Sequence, residues 1–97
     1  MGTIIDTKES RAVQNFLQKS KEAFAAQIAR NKVNNVDISS CVLDETYTAG
    51  IRFAVVGSVE TKSPTGKLKT YQYRASVDVE GKTCKFADLK VLPLEEG

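Results

Sequence analysis

A chain of 97 residues with 41% hydrophobic and 27% charged side chains has the composition of a single globular domain, which argues against disorder. Fourteen basic against twelve acidic residues leave a formal charge of +2, short of the balance a dedicated nucleic-acid binder carries. No apolar run approaches the roughly 18 residues of a membrane span, and Met1 to Ile5 is too short for a signal peptide because Asp6 and Lys8 follow at once.

The first predicted element is a helix over residues 7–32. Val13, Phe16, Leu17, Phe24 and Ile28 recur at three- and four-residue intervals and form one apolar stripe, while Lys19, Lys21, Glu22 and Arg30 fall on other faces. Asp6 or Thr7 supplies the N-cap, with Glu9 placed as in a capping box, and Asn31, Asn34 and Asn35 supply the stop. Basic residues outnumber acidic ones along this stretch, which reads as a solvated helix face.

Four strands are expected next, over 36–46, 51–62, 67–79 and 82–92. In the first, the apolar positions switch phase around Cys41, the signature of a bulge or an edge strand. The second alternates cleanly, with Ile51, Phe53, Val55 and Val59 on one face. The third does the same with Tyr71, Tyr73, Ala75, Val77 and Val79, and the fourth changes phase near Ala87-Asp88. Thr48-Ala49-Gly50, Ser63-Pro64-Thr65-Gly66 and Glu80-Gly81 are turn sequences too short for a parallel crossover, so consecutive strands must be antiparallel neighbours. Gly57, inside a β-branched strand, predicts a bend or a close approach of helix to sheet. The whole reads as one α+β domain over 1–97, an N-terminal amphipathic helix packed on a curved four-stranded antiparallel meander, with residues 1–5 and 93–97 as frayed ends.

The chemical inventory is thin. The chain has no histidine, which removes Ser-His-Asp and Cys-His pairs and the usual zinc and iron sites. Cys41 and Cys84 are too far apart in sequence for a zinc or redox motif and read as buried thiols, a disulfide being the alternative. The scattered glycines form no phosphate loop. Asp44 and Glu45 point to opposite faces of a strand, whereas Asp78 and Glu80 share a face beside a turn, which reads as a solvated hairpin end. Lys67, Lys69, Tyr71, Tyr73 and Arg74 make a basic strand with aromatics, as used on single-stranded nucleic acid, yet alternation sends both tyrosines to the core face.

A helix followed by four long antiparallel strands resembles the cystatin and monellin fold, and more loosely the cone-shaped ketosteroid-isomerase-like folds. The likeness spans roughly residues 4–92, with Thr3 to Ile5 standing where cystatins have a short strand before the helix. The nearest counterpart of the cystatin Gln-x-Val-x-Gly segment is Phe53-Ala54-Val55-Val56-Gly57, without the Gln and inside a strand; the Trp of the second cystatin loop has no counterpart because the chain has no Trp. What the resemblance implies is a fold, with cysteine-protease inhibition as its associated activity.

The functional expectation is a non-enzymatic binding or assembly module acting through protein–protein contacts and able to self-associate through its apolar, thiol-bearing edge strand. The alternative is a small-ligand carrier or minimal carboxylate enzyme with a pocket between helix and sheet. Tyr71, Tyr73, Arg74 and Asp88 are the candidate contacts. No cofactor, metal, membrane or nucleic-acid partner is expected.

Overall fold

The computed structural model describes residues 4, 7–28 and 32–93. Thr3, Ile5, Asp6, Arg30, Asn31 and the acidic pair Glu95–Glu96 lie outside the described residues, and so do the end of the predicted helix and most of the predicted frayed ends. The fold is α+β, helix packed on a four-stranded antiparallel open sheet in the order β1-β2-β3-β4.

The helical segment is broken rather than continuous. Helix α1 (Lys8–Gln18) starts at Thr7, whose hydroxyl accepts the Ser10 amide at 3.0 Å. Ser10, Val13 and Leu17 form its buried stripe. At Lys19–Ser20 the bonding tightens: the Ser20 amide reaches back only to Leu17 O (3.1 Å), and the Ser20 hydroxyl donates to Phe16 O at 2.6 Å. A serine hydroxyl that takes the i−4 carbonyl disturbs the ladder there and helps end the first helix. Helix α2 (Lys21–Ala25) is five residues long and leads through one more turn to Ile28. The single helix over 7–32 is therefore corrected to two short ones. The break lets Phe24 and Ile28 turn onto the sheet, where both are buried.

Strand β1 (Lys32–Tyr47) begins before the predicted position and takes in Asn34 and Asn35, which were expected to stop the helix. It is three residues longer than its partner β2 (Gly50–Lys62), and each extra residue is absorbed at one of three register shifts, Val33/Asn35, Ile38/Ser40 and Leu43/Glu45. The residues skipped are Asn34, Ser39 and Asp44, all polar and exposed. Because every bulge adds one residue, the inward positions run Val33, Val36, Ile38, Cys41 and Leu43 instead of alternating strictly. The phase switch legible around Cys41 is the bulge at Ser39. Strands β3 (Leu68–Glu80) and β4 (Thr83–Pro93) have a single shift between them, where Ala87 is skipped, at the predicted change of phase.

The turns are short, as expected. Thr48-Ala49 joins β1 to β2, and Gly81-Lys82 joins β3 to β4 with Gly81 at φ 65°. Between β2 and β3, Gly66 at φ 90° closes the loop, its amide on Ser63 O (2.9 Å).

The core lies between the helices and one sheet face. Leu17 and Phe24 pack with Val36, Val55, Tyr73 and Val77, all almost fully buried. Phe24 meets the Tyr73 ring edge-on at 4.8 Å and the Phe86 ring at 6.1 Å, and Phe16 meets Phe86 at 4.8 Å. Gly57 is the close approach the sequence implied, though to a strand side chain and not to the helix. A β-carbon there would stand 2.0 Å from Asp37 O and 2.8 Å from the Tyr73 hydroxyl. The missing side chain makes room for the Tyr73 ring, whose hydroxyl donates to Asp37 O at 3.0 Å.

Candidate functional site

Two hairpin ends, Tyr47–Gly50 and Glu80–Thr83, lie side by side because β2 and β3 are central neighbours. Register sets Glu45 opposite Arg52, Arg52 opposite Asp78 and Asp78 opposite Lys85 in one row across the sheet, on the face away from the helices. Arg52 donates to both carboxylate oxygens of Asp78, at 2.7 and 3.2 Å, and stands 3.5 Å from Glu45. The Tyr47 hydroxyl donates to Glu80 at 2.8 Å, the Arg52 guanidinium lies 5.9 Å from the Tyr47 ring, and Lys85 pairs with Glu80 at 3.5 Å.

The solvated hairpin end read from Asp78 and Glu80 is thus corrected for Asp78, which is only 5% exposed. Arg52 hydrogen bonding holds its carboxyl below the ordinary carboxylate range, against the opposing effect of burial. Burial, reinforced by the bond to Glu80, pushes Tyr47 up to about 12. Both Asp78 oxygens are occupied, so the cluster has the chemistry of a rivet between hairpins and offers no lone acid or base. Arg52 and Tyr47 were not singled out from sequence; only the hairpin register brings them to Asp78 and Glu80.

The residues that were singled out do not converge. Tyr73 is a core residue, and burial raises its phenol above the usual range. Tyr71 is half-buried with the Lys69 ammonium 5.2 Å from its ring. Arg74 and Asp88 are exposed on the opposite face, across from Val56 and Ser76. Cys41 and Cys84 are free thiols, the first buried, the second half-buried. Three strand spacings, about 14 Å, separate the strands that carry them, beyond the reach of a disulfide. Burial raises both thiols, offset in part at Cys41 by the Ser10 hydroxyl 3.5 Å away, so neither is an activated nucleophile.

Grooves run along the helix–sheet seam. One of about 320 Å³ is lined by Ala12, Phe16, Lys19, Lys82 and Cys84, and one of about 220 Å³ by Thr7, Leu43, Ile51 and Phe53. Neither of these is lined by Tyr71, Tyr73 or Asp88. Among the described residues no cluster of three or more His, Cys, Asp or Glu side chains could hold a metal ion, and no helix is long and apolar enough to cross a membrane.

The two sheet edges differ. Along β1, three bulges interrupt the strand, and Ile4 forms a parallel bridge with Cys41. Along β4, the side chain of Gln27 stands at the edge. Its side-chain amide donates to Leu89 O at 2.7 Å and accepts from the Val91 amide at 3.0 Å. A residue of a parallel neighbouring strand makes this same pair of bonds through its own N–H and C=O, one to each residue flanking Lys90. Gln27 is itself exposed, and nothing in the sequence pattern marks it.

Fold and edges together describe an open-faced α+β protein whose sheet ends in two unlike strands. Comparisons with protein-family models, with curated proteins and with solved structures return no match to this chain.

Proposed function

We propose that this chain is a non-enzymatic binding and assembly module that works through protein–protein contacts at a sheet edge and self-associates. The observation that carries this reading is the edge of β4, where the Leu89 carbonyl and the Val91 amide turn away from the sheet and are held by one exposed side chain. Edge strands with outward backbone groups are templates for pairing with another chain. A non-catalytic role draws support from the doubly bonded Asp78 carboxylate and from thiols held in their protonated form. The edge first expected to pair, β1 with its thiol, is less suited, since Cys41 is buried and the strand is bulged.

A curved, cystatin-like architecture is the finer form of the fold reading, supported by element order and by the bulges that bend β1. Protease inhibition finds less support, because Gly57 lies under the Tyr73 ring and not at a hairpin.

Light scattering over a wide range of protein concentration tests the proposal. A mass rising from 10.6 kDa towards twice that value is the expected result. A mass that stays monomeric at the highest concentration, with no partner recovered by cross-linking, overturns it.

A further inference from the structure

Resting on the self-association reading, we infer that the occupant of the β4 edge is β4 of a second copy, antiparallel and centred on Leu89, and that Gln27 is the latch each copy opens to receive it. The Gln27 amide identifies which backbone groups of β4 face outward, those of Leu89 and Val91. It also imitates the bonds of a neighbouring strand, so an incoming strand replaces like with like and leaves no buried group without a partner.

Symmetry and charge then choose the register. A two-fold pair is isologous, so residue i opposite j requires j opposite i. Asp88 and Lys90 pair with Ser76 and Arg74 of β3, two residues apart, and so share the helix-free face, where both are exposed. Centring on Leu89 sets Asp88 of each copy opposite Lys90 of the other, giving two cross-strand ion pairs. Centring on Asp88 or on Lys90 sets like charges opposite one another, which is destabilising. The result is a continuous sheet of two four-stranded halves with both helical layers on one face. The β1 edge does not compete, with its three bulges and the Ile4 bridge.

The test is a set of variants of the full chain, studied by sedimentation equilibrium with urea midpoints as folding controls. Removing the latch with Gln27→Ala is expected to tighten the dimer about tenfold, whereas Asp88→Lys or Lys90→Asp alone weakens it by a similar factor and Asp88→Lys with Lys90→Asp restores it. If Gln27→Ala only lowers the urea midpoint, Gln27 is a structural anchor and the latch is wrong. Dimers indifferent to all the charge variants overturn the β4 register while leaving self-association standing. A wild-type chain and variants that all remain monomeric overturn both.

Discussion

Single residues hold this sheet together at points where ordinary strand chemistry would fail. Gly57 is the clearest, since any side chain there meets both the Asp37 carbonyl and the Tyr73 ring. Gly57→Ala is expected to lose about 2–3 kcal/mol, because the clash is with backbone and with a ring packed in the core. Tyr73→Phe keeps the ring and removes only the bond to Asp37 O, so it should cost about 1 kcal/mol; urea denaturation separates the two. Asp78 has a depressed pKa in the folded state. Its contribution is therefore present above the ordinary carboxylate pKa near 4 and is lost as pH falls through the lower folded value. Asp78→Asn should be less stable than wild type at neutral pH, and the gap between their urea midpoints should close in acid. Tyr47, raised to about 12, works at the other end: stability falls as pH climbs from the ordinary value of about 10 towards 12, and its phenolate should emerge late in a spectrophotometric titration.

At the level of elements, the helical layer and β1 each depart from regularity for a reason. Helix α2 is too short to hold itself, and its one fully buried anchor is Phe24, set between Tyr73 and Phe86. Phe24→Ala should cost about 3–5 kcal/mol, a large share of what a domain this size possesses. Hydrogen exchange should show residues 21–28 losing protection before β2 and β3; equal loss everywhere would mean the helical layer and sheet unfold as one unit. In β1, the bulges at Asn34, Ser39 and Asp44 let a sixteen-residue strand follow a thirteen-residue partner without turning its apolar set outward. Part of this was visible in advance: the phase change at Cys41 marks the bulged region, and the one at Ala87-Asp88 marks the shift in β4. The bulge at Asn34 was not, because asparagine in a helix-to-strand stretch reads equally well as a helix stop. Ser20 hid for a similar reason, since a serine between two lysines does not disturb the apolar period on either side.

For the whole molecule, the decisive feature is that the sheet is open. Helices cover one face, while the other carries Val56 at 43% and Leu92 at 59% exposure among charged neighbours. In a body measuring 46 × 26 × 18 Å, two long edges are a large share of the surface. Edge pairing through β4 makes no use of either thiol. The mass distribution should therefore be the same with and without reductant, and Cys84 should react with a thiol reagent slowly, and Cys41 only on unfolding. A mass that falls on reduction would point to a disulfide-linked dimer instead.

From sequence alone came the element types, their order and the antiparallel connections, because these follow from local periods and from turns too short for any other path. The inward faces of β2 and β3 were legible for the same reason: with no bulge between them, strict alternation survives from sequence into the sheet. What only the tertiary structure decided were the meetings of residues distant in the chain. Arg52 with Asp78, Tyr73 with Gly57 and Asp37, and Gln27 with the backbone of β4 all depend on register and on where the broken helix crosses the sheet. No local pattern carries that information, since long-range pairing is set by how the apolar faces close on one another, and a single skipped residue moves every partner that follows.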